Sequence, residues 1–293
     1  MSVLAGKKLK GWTIGDYVVY AIMILFSLLF LAPFVYVISV SLTDPSVYVP
    51  FQLYLLPEKV SLKTYEYILS NPQFLSSLKN TVFITVVGTV LDICVTFTFA
   101  YTLTKKGMPF RGLLMGLVVF TLMFNAGMIP NYMMVKSLGL INNRWALILP
   151  VLTNAWSLIV AKSFLDSIPD ELEESAKIDG CTDLGVFFRI IIPLSTASIA
   201  TLTLFFAVSH WNTYFNALIY LTDLEKRTLQ VYVKSLLIDA STTGMGTMND
   251  IMNMPSETVR MATVILAMLP ILVVYPFLQK YFVKGVMVGS IKG

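Results

Sequence analysis

Six apolar runs leave this chain few ways to fold: residues 17–40, 80–103, 112–129, 145–164, 190–210 and 259–282. Each is close to the ~20 residues that cross the hydrocarbon core of a bilayer. Backbone in lipid must satisfy its own polar groups, so a spanning segment is a helix or part of a closed barrel. None of these runs alternates apolar and polar residues with the period of two that a barrel strand needs. The sequence therefore predicts an all-α, polytopic membrane protein with six transmembrane helices in one domain, residues 1–293. Composition agrees, with 56% hydrophobic and 13% charged residues against about 25% charged in soluble domains.

Orientation follows from lysine and arginine near the span ends. With a cytoplasmic N-terminus, the inner segments hold Lys7, Lys8, Lys10, Lys105, Lys106, Arg111, Lys162, Lys177, Arg189, Lys280, Lys284 and Lys292, twelve of 21 basic residues. Both termini are thus expected inside, with outer loops 41–79 and 222–258 and an inner loop 165–193. The first run follows three lysines and lacks a small-x-small cleavage pattern, so it reads as an anchor. Leu62–Leu69 reads as a brief surface helix. Cys94 and Cys181 fall in a span and a loop and predict neither disulfide nor metal site. The net charge of +4 is mostly inner lysine and does not argue for an acidic ligand.

The inner loop is a polar island. Ser167 is a candidate cap, Pro169 is expected in the first turn, Asp170 and Glu171 suit the positive end of the helix dipole, and Gly180 suits a left-handed stop. A second helix is expected from Thr182 or Asp183 into the next apolar run. Five acidic residues in one short helix offer it to something outside the bilayer; the plain alternative is an amphipathic surface helix.

At Glu174-Ser175-Ala176, Gly180, Ile190 and Pro193 the loop resembles the EAA loop of ATP-binding-cassette (ABC) importer permeases, with Ser175 replacing an alanine. Ala197 stands where many relatives carry another proline, which implies a straighter following helix. Residues 129–150 and His210–Asn216 are similar to segments of the carbohydrate branch, close to the shorter permease of maltose-type importers. The chain also resembles permease subunits of bacterial importers for alginate, an acidic polysaccharide.

The resemblance implies a type I ABC importer permease fold with a cytoplasmic coupling helix that docks in a cleft of an ATPase. Glu173, Glu174, Ser175, Ala176, Asp179, Gly180, Ile190 and Pro193 would form that coupling site. It implies a homologous permease as heterodimer partner, a pair of ATPase subunits holding ATP and Mg, and an extracytoplasmic solute-binding protein. The loop residues Thr243, Gly244, Met245, Gly246 and Asn249 would touch that binding protein; the alternative is a flexible connection.

No Gly-x-x-x-x-Gly-Lys-Ser/Thr phosphate loop is present in the sequence, so ATP hydrolysis is expected on a separate chain and no cofactor on this one. No hydrolase constellation, metal-binding helix or nucleic-acid motif is found either. Polar residues in the spans are costly, roughly +2.5 to +3.5 kcal/mol for Asp at a span centre. Asn125, Asn154, Asn212 and Asn216, with Tyr132, Trp156, Trp211, Tyr214 and His210, are candidates for a sugar path, pairing hydrogen-bonding groups with aromatic faces. The competing reading is interhelical glue, worth about 0.6 kcal/mol per bond. Asp92 reads as a structural partner; in an ion-coupled secondary transporter it would be the ion site. That alternative lacks an inverted repeat, and a purely structural scaffold is the third reading.

Overall fold

The computed structural model describes residues 14–50, 52–242 and 256–290. In chain order the helices are α1 (Ile14–Leu42), α2 (Lys63–Ser70), α3 (Pro72–Thr104), α4 (Arg111–Met123), α5 (Met128–Ser137), α6 (Ala155–Leu165), α7 (Asp170–Ile178), α8 (Asp183–Val186), α9 (Ile192–Leu194), α10 (Thr196–Trp211), α11 (Phe215–Tyr220), α12 (Leu229–Thr242) and α13 (Ser256–Ser290). Among the described residues the only strand-like pairing is an isolated antiparallel bridge between Thr43 and Val60.

Two compact units emerge. One holds the described residues up to Ile68 together with 256–265; the other runs from Leu69, with 266–290. In the first, α1 buries only Ser39, Val40 and Ser41 along its length, as a helix made for lipid or for other chains would. The segment after it is pinned from several sides. The Ser39 hydroxyl donates to the Leu55 carbonyl at 2.8 Å and the Tyr65 hydroxyl to Ser41 Oγ at 2.7 Å. The Asp44 carboxylate accepts from the Ser46 N–H and hydroxyl and pairs with Lys59 at 3.3 Å, which holds its pKa down to about 2.

The second unit is organised by α3. Asn71 caps it, accepting from the Gln73 and Phe74 N–H groups, and Pro72 occupies its first position, where a missing N–H is harmless. The helix therefore begins eight residues before the apolar run at 80. Its buried stripe passes through Ser77, Thr81, Ile84, Gly88, Asp92, Thr96, Ala100 and Leu103, the three- and four-residue spacing of one helix face. Small residues on that stripe let α10 and α6 pack closely against it. Near the Thr104 end, Phe97, Ala100 and Leu103 join Val118, Leu158, Ala161, Leu165, Val186, Phe187, Ile191, Leu202 and Phe206 in one apolar cluster. Near the Asn71 end, Ile84 joins Val135, Ala146, Leu147, Ile148, Ala217, Tyr220, Leu221 and Val231 in another. Between them the stripe is polar.

Three of the apolar runs are not straight helices. The run at 112–129 ends as a helix at Met123; Gly127, with φ of 86°, turns the chain, and Pro130 lies in the first turn of α5 rather than ending a helix. The run at 145–164 opens as two 3-10 turns over 144–151, then bends by 51° into α6. The run at 190–210 is entered from α8 through a π turn at Phe187–Ile191 and bends by 78° between α9 and α10. Ser195, between those helices, takes the bend, and Ala197 lies in the first turn of the unbroken α10 that follows. Among the described residues three helices are by themselves long and apolar enough to cross a membrane, or up to five elements if each bent pair is one span.

Candidate coupling loop and intramembrane polar site

The acidic helix α7 is held by its ends and by one side. Pro169 precedes it as the cap residue; Ser167, expected there, instead donates its hydroxyl to the Phe164 carbonyl at 2.6 Å. Asp170, Glu171 and Glu173 fill the first turn, where negative charge complements the helix dipole. At the other end the Cys181 N–H bonds the Ala176 carbonyl at 2.9 Å and the Gly180 N–H bonds Lys177 at 3.0 Å. This is a Schellman closure, and it needs the left-handed φ of 85° that Gly180 supplies. Thr182 then caps α8 by accepting from the Gly185 N–H.

Two ion pairs fasten α7 to the turn after α3. Lys105 pairs with Glu173, whose carboxylate also accepts from the Tyr101 hydroxyl at 3.3 Å, and Lys106 pairs with Asp170 at 3.1 Å. Across the glycine turn, Lys177 meets Asp183 at 2.8 Å. That contact raises the lysine's pKa and lowers the aspartate's, each chiefly through the hydrogen bond between them. Ala176 is buried in the apolar cluster, and Ile190 packs against it.

The coupling set expected from sequence is thereby divided. Glu173 and Ala176 face the bundle, Glu173 through its ion pair with Lys105 and Ala176 in the apolar cluster. Glu174, Ser175, Asp179 and Gly180 are exposed, and Pro193 is exposed beside the bend.

The nine pathway candidates also separate. Asn125 accepts from the Gly127 N–H at the α4–α5 break, Asn154 caps α6 through the Ser157 N–H, and the Asn212 amide donates to Val208. Trp156 is 50% exposed and packs edge-on against Phe205. Tyr132 stacks on Tyr220, Tyr214 packs beside the second cluster, and Asn216 is half-buried. His210 and Trp211 are turned inside the helix packing, at 4% and 7% exposure, so neither lines an open surface of the chain. Thr243, Gly244, Met245, Gly246 and Asn249 lie outside the described residues.

His210 has a partner that sequence reading did not pair with it. Its Nε2 lies 2.7 Å from Asp92 Oδ2, and Asp92 Oδ1 accepts the Thr153 N–H at 3.1 Å. The structural reading of Asp92 holds, with a named partner on each oxygen. The available signal was that the chain's one histidine and the one acid in the second apolar run are both intramembrane groups in need of partners.

Apolar helices broken at defined points, with a clamped helix–glycine–helix loop between two of them, are the arrangement expected of a type I ABC importer permease, and comparison with known proteins shows that class. The chain belongs to the family described as binding-protein-dependent transport system inner membrane component, which matches residues 1–288. It is 44% identical over 284 residues to the polygalacturonan/rhamnogalacturonan transport system permease protein YtcP of Bacillus subtilis (strain 168), covering 95% of this chain and 98% of that one. It is 46% identical over 263 residues to Protein LplC of the same organism, covering 89% of each. Its fold matches a crystal structure of a bacterial ABC transporter involved in the import of the acidic polysaccharide alginate. There the TM-score is 0.85 at 32% identity, over 92% of this chain and 99% of that one.

Proposed function

We propose that this permease carries an oligosaccharide derived from an acidic polysaccharide, by ATP-driven alternating access, in the bacterial cytoplasmic membrane. The substrate class is supported by the relative that transports polygalacturonan/rhamnogalacturonan and by the neighbour that imports alginate. A homologous permease pairs with it, two ATPase subunits bind ATP and Mg, and an extracytoplasmic binding protein delivers the sugar. The chain crosses the membrane six times with both termini inside, and the loop 243–249 meets the binding protein. Asn125, Tyr132, Asn154, Trp156, Asn212, Tyr214 and Asn216 contribute to the path. For the cycle to run, ATP must favour one conformation over the other.

The observation that carries the coupling mechanism is the two-sidedness of α7: Glu173 and Ala176 are fixed to the membrane unit while Glu174, Ser175 and Asp179 are left exposed. A helix tied on one face can hand motion applied to its other face to the bundle. Asp92, with both oxygens engaged inside the fold, does not resemble a free ion site.

The test is a Glu174→Cys variant, assembled with the partner permease, the binding protein and an ATPase carrying a cysteine in its docking cleft. A cross-link that forms and stops import of oligogalacturonates supports the reading. Absence of the link, with import unaffected by Gly180→Pro, refutes it. Import that persists without ATP and ceases in Asp92→Asn establishes the ion-coupled alternative instead.

A further inference from the structure

At the break between the 3-10 turns and α6, Thr153 adopts φ of 53°. A β-branched residue rarely enters this left-handed region, and such strain persists only where its surroundings hold it. Here the holding groups come from other helices. Asp92 on α3 accepts the Thr153 N–H, and Thr96, one turn further along α3, donates its hydroxyl to that of Thr153. Asp92 is 1% exposed, and its second oxygen is fixed by His210 on α10. The histidine ring lies directly over Gly88, where a Cβ would sit 2.5 Å from its Nε2. Two helices, α3 and α10, and the break before α6 thus meet at one buried carboxylate. The residue after Thr153 is Asn154, which caps α6, and Trp156 follows two residues later.

We infer that Asp92 and His210 are positioning residues for transport: they hold the strained Thr153 so that α6 presents Asn154 and Trp156 to the sugar path. This rests on the pathway reading of those two residues. A carboxylate is not required for the fixing itself. An asparagine at 92 keeps an oxygen for the Thr153 N–H and places an amide against His210 Nε2, which accepts from it in the Nδ1–H tautomer. An alanine supplies neither.

The assembled complex tests this in a background with Cys94 and Cys181 replaced by serine and Trp156→Cys introduced. Two readouts are taken: amide exchange across 149–157, and the rate at which a water-soluble thiol reagent labels position 156. Loss of a buried hydrogen-bond acceptor opens such a site by an order of magnitude, so Asp92→Ala should change both rates about tenfold. Asp92→Asn should leave both near the background values. If Asp92→Ala speeds exchange without altering labelling, the pair is structural only and the inference fails. Equal defects in the two variants overturn it as well. A thiol at position 156 that never labels in the background protein removes the pathway reading itself, an outcome distinct from either.

Discussion

Substituting Gly88 by alanine tests the α3–α10 contact with a single methyl group. The added Cβ would lie 2.5, 2.7 and 2.9 Å from Nε2, Cε1 and Cδ2 of His210. Ordinary van der Waals contact starts at 3.4 Å, so the ring must retreat by about 0.9 Å in a packed interior that resists such shifts. Retreat lengthens the 2.7 Å contact with Asp92, to about 3.6 Å and out of hydrogen-bonding range if it runs along that bond. Overpacking costs about 1–3 kcal/mol, and the broken buried bond about 1–3 kcal/mol. Alanine's better helix propensity returns about 1 kcal/mol. The net expectation is a destabilisation of about 1–5 kcal/mol, read as a lower thermal midpoint of the detergent-solubilised complex. The sign should reverse once the ring is removed. In a His210→Ala background the methyl group has space, so Gly88→Ala should be neutral or stabilising by up to about 1 kcal/mol. Equal destabilisation in both backgrounds would show that the ring is not what forbids a side chain at 88.

The clamp on α7 makes a charge-exchange prediction. Lys105→Glu places a carboxylate against Glu173 and should lower ATP-dependent uptake about tenfold, whereas Lys105→Glu with Glu173→Lys should recover most of it. An uncorrected double variant would exclude this pair from coupling. The Lys177–Asp183 tie should be insensitive to pH across the neutral range. Asp183 titrates below its usual value, so its contribution is present above about pH 4 and is lost as pH falls through its folded pKa. Lys177 titrates above its usual value, so its contribution is present below about pH 10 and is lost as pH rises through its folded pKa. Amide exchange of 176–183 in wild type and Asp183→Asn should differ at pH 7 and converge at acid pH; a constant difference would refute the assignment.

Hydropathy marked the apolar runs of this chain but not their interruptions. An apolar run reads alike whether the helix continues or breaks, because Leu149, Val151 and Leu152 are as oily as any span residue. The break at Thr153 has a local sign in Asn154, the cap of α6, but its left-handed turn is held by a carboxylate 61 positions away. The bend at Ser195 did have a local signal in Pro193, yet a proline within a run does not state an angle. The start of α3 was the reverse case, since Asn71-Pro72 is a strong cap signal that apolarity alone passes over. In the loop, the glycine stop and the Thr182 cap were readable because their causes lie within four residues. The division between Glu173 and Glu174 was not. They are neighbours pointing about 100° apart on a helix, and only the position of Lys105 decides which turns inward.

The π turn at Phe187–Ile191 and the 78° bend that follows it give this permease the mechanics of a crank. A straight α-helix transmits a push along its axis with little change. A π turn bonds i to i+5 and holds one residue more than the α-helix around it, so it is a place where a helix can rewind. Under the proposed coupling, a displacement entering at Gly180 would meet that rewinding point first and the bend second, and would leave through α10 turned by most of a right angle. An axial thrust at the loop would then become a sideways swing at the far end of α10, where His210 meets Asp92 on α3.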